Sequence, residues 1–344
     1  MLKKTCCYIF PFPAPSEDLS LKIQSQLSVL NNHYATNFVS KPTPATKSKL
    51  LLYFYNLIFV VKAILYATQS NIIYYRFHPN QTLLNISLIA LSYIKIIYVE
   101  HFYSQIKHNP PPKLIRKLSL FLKLSNSTHI TPTQQLKRLI QQYTSKTHKV
   151  QYTQNGFSYP KIKITNIDSA TVAQLSHTLQ KKSYKKIAVF SGNGDPWQPI
   201  SEIIQYIEKE PNILVIVMGP YEPIKHPQFI FLGILNTETR LQIYKLADFG
   251  ISIFKWNSSN FEEECPLKTR EYLCMGLPIL VNYFDSANDF IELSPSIFNI
   301  KTNNQALSDI INQKENKTQL QNIARKKLDW SELWKYSILK HSIH

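Results

Sequence analysis

The chain has 344 residues, enough for two domains, and a hydrophobic content of 44% that lets each half bury a core. Its net charge of +17 is uneven: residues 1–155 carry 18 Lys/Arg against three acids, Glu17, Asp18 and Glu100, while the remainder is nearly neutral. All seven glycines lie between Gly156 and Gly276, which excludes a Gly-rich phosphate loop in the first half; none of Cys6, Cys7, Cys265 and Cys274 has zinc-ligand spacing, and Cys6 and Cys7 are too close for a normal bridge.

Residues 6–10 read as a strand, 11–15 as a loop, and Asp18 can cap a helix running to residue 30. Lys3 and Lys4 precede too short an apolar stretch for a signal peptide. Residues 50–67 are helical by length. Their apolar part, 50–61, is shorter than the about 20 residues of a bilayer span and ends at Lys62, so a buried or interfacial helix is expected. Residues 72–76 form a strand, 83–93 a helix and 96–99 a strand. After Pro110–Pro112 comes an amphipathic helix, 113–124, then a strand at 128–131. Pro132 opens a helix to Tyr143, and a strand at 150–153 ends at the turn Asn155-Gly156.

The second half repeats the plan. Strands are expected at 187–190, 213–218, 229–232, 249–254 and 278–281, with helices at 200–208, 237–246 and 267–275. Strands alternating with helices imply parallel sheets covered on both faces. The fold class is therefore α/β. The domains are expected at 1–165 and 166–330, with a C-terminal helix over 331–344 and a partly loop-like stretch, 158–184, between the halves.

Chemistry concentrates in residues 262–278, Glu-Glu-Glu-Cys-Pro-Leu-Lys-Thr-Arg-Glu-Tyr-Leu-Cys-Met-Gly-Leu-Pro. Glu263 falls in the loop before a helix, Glu271 at least one turn inside it, and Gly276 closes it as a C-cap. The N–H groups between the two acids, from Leu267 and Lys268 on, suit a diphosphate at the helix N-terminus. Glu271 can accept hydrogen bonds from vicinal ribose hydroxyls, and Glu263 can reach a sugar beyond the phosphates. The other reading of the same residues is a capping acid followed by a surface helix.

Glu263-x7-Glu271 with Gly276-Leu277-Pro278 resembles the signature of the family 4 glycosyltransferases of the GT-B fold, the large retaining class. Pro266 to Tyr272 is similar to a variant common in bacterial polysaccharide assembly. Further pieces stand in the family's order: the loop Gly192-Asn193-Gly194 to Trp197, the strand end Ile216–Gly219, Phe231–Gly233, Leu241–Gly250, and a terminal helix at 324–333 with Trp330-Ser331. The resemblance implies two Rossmann-like domains facing across a cleft, with the C-terminal helix able to cross back to the first.

It also implies a nucleoside-diphosphate-sugar donor on the second domain, a glycan or lipid-linked acceptor on the first, and transfer with retention, without a metal or other cofactor. Two departures stand out. Asn193 and Gln198 occupy the positions of the family's Arg and Lys, leaving Lys268 and Lys255 as the nearest cations. Residues 11–17 replace its Gly-rich loop.

In the first half, Glu100-His101 follows a strand whose carboxyl end is where ligands of open α/β sheets bind. The resemblance implies a histidine there that touches the donor sugar; the alternative is a satisfied histidine at a loop end. Arg76 and His78 end the preceding strand and could meet an acceptor or a phosphate, or could be structural. The basic first half suits an anionic membrane surface, so a cytoplasmic protein, peripheral at the inner face of the membrane, is expected.

Three rivals share the sequence: an inverting transferase or epimerase with Glu100 as base, a non-catalytic partner subunit, and a basic nucleic-acid-binding protein. The last leaves the Glu pair unused and has no recognised motif, so nucleic acid is not expected as a partner.

Overall fold

The structure is a computed structural model that describes residues 3–13, 17–44, 48–102, 112–159, 168–181, 184–196, 198, 200–253, 262–313 and 316–341. Trp197 and the candidate cation Lys255 lie outside them. The chain forms two compact units, Met1–Gln154 with Trp330–His344, and Asn155–Asp329.

The first unit runs β1 (Thr5–Phe10), α1 (Glu17–His33), β2 (Ala35–Ser40), α2 (Lys49–Gln69), β3 (Ile72–Arg76), α3 (Thr82–Leu91), β4 (Ile96–Glu100), α4 (Pro112–Leu124), β5 (Thr128–Thr131), α5 (Gln134–Gln141) and β6 (Val150–Tyr152). Its six strands pair in parallel in the order β2-β1-β3-β4-β5-β6. Strand alternation divides the core. Cys7, Ile9, Ile73, Tyr75, Ile97 and Val99 point to one face, against α2 to α5. Cys6, Tyr8, Phe10, Tyr74 and Tyr98 point to the other, against α1 and the returning C-terminal segment.

That segment carries α12 (Trp330–Trp334). The Trp334 ring lies 5.3 Å from Tyr74 and 5.2 Å from Trp330. The Tyr34 and Tyr98 hydroxyls donate to the Ile338 and Ser337 carbonyls, each at 3.1 Å.

The second unit has α6 (Ser169–Lys181), β7 (Lys186–Ser191), α7 (Ile200–Ile207), β8 (Ile213–Met218), β9 (Phe229–Phe231), α8 (Thr237–Leu246), β10 (Phe249–Ser252), β11 (Glu263–Glu264), α9 (Leu267–Cys274), β12 (Ile279–Val281), β13 (Phe284–Asp285), β14 (Ile297–Asn299), α10 (Ala306–Asn312) and α11 (Lys317–Lys327). Its main sheet has the order β14-β12-β10-β7-β8-β9, again parallel, and β11 pairs with β13 separately. One sheet face buries Ala188, Phe190, Val215 and Val217 with α7 and α10. The other buries Val189, Ile216, Met218 and Ile279 with α8, α9 and α11.

Several boundaries differ from the sequence expectation for identifiable reasons. The first unit ends at Gln154 because Asn155 is already tied to the second: its N–H donates to the Cys265 sulfur at 3.1 Å and its side-chain amide to the Cys265 carbonyl at 2.7 Å. The expected helix 324–333 is two helices, with Leu328 and Asp329 between them. There the Phe157 N–H donates to the Leu328 carbonyl at 2.8 Å and the Ser158 hydroxyl to Asp329 at 2.9 Å. The strand β2 gave no signal because it is an edge strand with polar residues and Val39 as its one buried side chain.

Trp334 is a fully buried anchor of the first unit. Trp334→Ala should lower its unfolding free energy by about 3–5 kcal/mol, the cost of a large aromatic cavity. Urea unfolding measures it, and a loss below about 1 kcal/mol would show that the C-terminal return contributes little.

Candidate active site

In the second unit the strand order turns at β7: β8 and β9 lie to one side, β10, β12 and β14 to the other. Ligands of open parallel sheets bind outside the carboxyl ends of strands at such a switch point. The loop Gly192–Gly194 leaves β7 there. It needs glycine because backbones meet: a Cβ on Gly219 would fall 2.0 Å from the Gly192 carbonyl oxygen, and one on Gly192 1.9 Å from the Tyr221 hydroxyl.

The Ser191 N–H donates to the Tyr272 hydroxyl at 2.8 Å, which fixes the loop to α9. Gln198 is buried and accepts from the Tyr221 hydroxyl at 3.4 Å, and Asn193 is exposed, accepting from the Asp195 N–H at 3.3 Å. Both positions where the family has a cation therefore hold neutral groups engaged with the protein.

The helix α9 starts after Pro266, whose side chain provides no cap, so its first-turn N–H groups have no side-chain cap. Lys268 stands in its first turn, its ammonium 4.5 Å from the centre of the Phe190 ring at the end of β7. Tyr272 lies flat on β10, where a Cβ on Gly250 would come within 2.2 Å of the ring. The helix ends at Gly276 (φ 78°), with the Gly276 N–H donating to Leu273 and the Leu277 N–H to Tyr272, each at 2.9 Å.

Glu271 is buried in this helix. One carboxylate oxygen accepts from Arg240 and the other from the Tyr244 hydroxyl, each at 3.2 Å. Burial, with the charge of Glu271 added, holds the Tyr244 phenol well above its usual range, so it remains a donor. These bonds fix the orientation of the carboxylate. Glu263 is also buried, in β11, where it pairs with Phe284 of β13.

The residue that sequence reasoning missed is Arg270, which is completely buried. Its Nη1 donates to Asp285 at 2.6 Å and to the Thr269 hydroxyl at 2.8 Å, its Nη2 to the Ser286 hydroxyl at 2.6 Å, and its Nε to the Asn155 carbonyl at 3.3 Å. Asp285 also accepts from the Ala287 N–H at 2.8 Å. One side chain thus joins α9 to the β11–β13 pair that carries Glu263. The available signal was Asp285-Ser286 beside an arginine within an otherwise apolar helix face.

In the first unit, Arg76 of β3 lies opposite Glu100 of β4. Lys22 of α1 bridges Glu100. Burial pushes the Glu100 carboxyl up, but Lys22 and Arg76 outweigh it and hold it below its usual range, so it stays ionised and is a weak base. His101 follows, fully buried. Its Nε2 lies 3.0 Å from His129 Nδ1, and His129 Nε2 lies 3.3 Å from the Ser125 hydroxyl. Burial lowers the His101 pKa to about 3. His101 is therefore a neutral ring near pH 7, able to donate or accept a hydrogen bond but not to deliver a proton as an imidazolium.

This makes stability depend on pH. The unfolded chain protonates His101 near pH 6.5 and the folded protein only near pH 3, so stability falls as the pH drops below about 6.5. The slope from this one group approaches about 1.36 kcal/mol per pH unit. His101→Gln should flatten the loss between pH 6.5 and 5 in urea unfolding; an unchanged slope would mean that His101 is not buried as a neutral ring.

Comparison with protein-family models and with curated proteins finds no match. Solved structures do match, over nearly the whole chain. Anabaena HepE, solved in complex with UDP and glucose, has a TM-score of 0.60 at 13% identity, covering 98% of this chain and 99% of that one. A glycosyltransferase from Rickettsia africae has a TM-score of 0.67 at 11% identity, covering 99% of each. WaaG, a glycosyltransferase involved in lipopolysaccharide biosynthesis, has a TM-score of 0.59 at 12% identity, covering 96% of each. At such identities the likeness speaks for architecture. Two units, each on a six-stranded parallel sheet and each matched along its length by these enzymes, give this chain the GT-B fold.

Proposed function

We propose that the chain is a retaining glycosyltransferase moving a sugar from a nucleoside-diphosphate sugar to a glycan or lipid-linked acceptor, in the assembly of a cell-surface polysaccharide. One observation carries the reading. The switch-point loop Gly192–Gly194 and the uncapped start of α9 adjoin, and the same helix carries Glu271 while its Arg270 ties in the strand of Glu263. HepE, solved with UDP-glucose, supports a uridine nucleotide as the donor's leaving group.

In this reading the diphosphate rests on the N–H groups of Leu267 and Lys268 and on the loop Gly192–Gly194, with the Lys268 ammonium supplying the charge that Asn193 and Gln198 lack. Glu271 holds the ribose. Glu263 faces the sugar and stabilises positive charge developing at the anomeric carbon, while helix dipole and lysine stabilise the departing diphosphate. The incoming hydroxyl comes from an acceptor on the first unit, and no metal is required.

Calorimetry with UDP and UDP-sugars tests it. Glu271→Gln keeps the side-chain volume beside Arg240 and Tyr244 and should weaken UDP binding about 10- to 100-fold, the value of a charge-assisted hydrogen-bond pair. Glu263→Gln should leave UDP affinity within about threefold and lower turnover by about 100-fold. Unchanged UDP affinity in Glu271→Gln would remove the ribose assignment. UDP binding without transfer or hydrolysis of any UDP-sugar would favour the non-catalytic subunit.

The first unit also fits a peripheral protein at the cytoplasmic face of an anionic membrane. Among the 21 residues of α2, Phe59, Val60, Ala63 and Ala67 are buried; they pack on the sheet as part of its core. Its other side exposes apolar groups, with Leu50 at 66%, Ile58 at 63% and Val61 at 57%. This helix is long and apolar enough to cross a membrane, but its inner side packs on its own sheet, which suits insertion of the outer side along the interface. Lys113, Arg116, Lys117 and Lys123 on α4, which packs beside α3 on the same sheet face, add cations without an acid, each contributing about 1 kcal/mol near an anionic leaflet. Co-sedimentation should show binding to phosphatidylglycerol vesicles that weakens with salt, and Ile58→Glu should lower it at least tenfold; equal binding by this variant would exclude α2 as the inserting element.

A further inference from the structure

We propose that Arg76 marks an anion-binding site in the first unit, so that the acceptor it holds carries a phosphate or carboxylate. Calling that anion part of the acceptor rests on the transferase reading; the site itself does not. The sheet order turns between β1 and β3, with β2 on one side and β4, β5 and β6 on the other. Arg76 is the last residue of β3, at the carboxyl end of the strands beside that turning point, where parallel sheets receive ligands.

The guanidinium is in an unusual position. Arg76 is only 7% exposed, and its Nε and Nη1 are buried without a hydrogen-bond partner. Three rings surround it: Phe102 at 4.6 Å, and Phe10 and Phe12 each at 5.9 Å. Ring faces attract a cation but cannot accept directional N–H bonds, so they offset part of the desolvation and leave two donors unused. Among the described side chains the neighbouring carboxylate is Glu100, which Lys22 bridges. A buried cation with unused N–H donors is what an anion such as a phosphate or carboxylate completes.

The surroundings favour the same class of ligand. Phe12 packs against His78 with ring centres 4.9 Å apart, and burial, with the charges of Lys41 and Lys117, keeps His78 below its usual pKa. Lys117 donates to Asn80 at 3.5 Å, and both line a cavity with Lys113 and Leu114. An anion approaching this strand end therefore meets a cationic rim. Phe12 and Phe102 are half-buried and stand just past the ends of β1 and β4, so shifting these two rings, without moving the sheet, uncovers the guanidinium.

Thermal unfolding of the intact protein with sodium phosphate, against sodium chloride at matched ionic strength, tests the site, with UDP present so that the second unit's own phosphate site is occupied. Phosphate should raise the melting temperature of the wild type by about 3 °C or more at saturation and that of Arg76→Met by less than about 1 °C. Without phosphate, Arg76→Met should melt at or above the wild type, because it removes a buried charge with unmade bonds. Equal phosphate responses would overturn the proposal, and so would an Arg76→Met variant that melts lower without phosphate, which would make the guanidinium a structural partner of the three rings. UDP affinity, measured on both proteins, should be the same. If the wild type fails to bind UDP, the donor reading falls while the phosphate comparison still decides the fate of Arg76.

Discussion

The second unit is organised around one buried guanidinium. Arg270 donates hydrogen bonds from a position with no solvent exposure, to Asp285, Thr269, Ser286 and Asn155 among others. A buried ion pair of this kind adds little net stability over a hydrophobic replacement, but losing one partner strands a charge and costs about 3–5 kcal/mol. Its consequence here is geometric. Asn155 begins the unit, Asp285 ends β13, and Arg270 precedes Glu271 in α9, so three distant pieces of chain share one register. Glu271 is then fixed by Arg240 and Tyr244. Rigid carboxylates on rigid elements are what recognition of a polar ligand requires, since groups oriented before binding lose less entropy on binding it.

Electrostatics divides the labour between the units. The first carries nearly all of the net charge, and around α2, α3 and α4 that charge is not interrupted by an acid. The second is nearly neutral and carries localised features instead: an uncapped helix start, a loop whose glycines let backbones touch, and a lysine in the first turn. Diffuse charge suits an extended anionic partner, and placed dipoles suit a compact anion such as a diphosphate.

Much of the architecture was legible in the sequence because buried parallel strands are continuous apolar runs. Residues 72–76, 128–131 and 213–218 were bounded to the residue, since every position or nearly every position in them is buried. The end of the helix around Glu271 was legible from Gly276. What remained hidden depends on contacts distant in sequence. Arg270 stands out in sequence only as an arginine on an apolar helix face; its partners Asp285 and Asn155 are set by the fold. His101 shows no sequence sign that His129, 28 positions on, would take its ring nitrogen in a dry core. The edge strand β2, with one buried side chain, has no periodicity to detect.

The most direct measurement is an experimental structure of the protein with UDP bound. The diphosphate should lie on the N–H groups at the start of α9 and the loop Gly192–Gly194, with both ribose hydroxyls within about 3 Å of the Glu271 carboxylate. A nucleotide bound elsewhere, or one whose ribose turns away from Glu271, would contradict the assignment of this helix as the donor site.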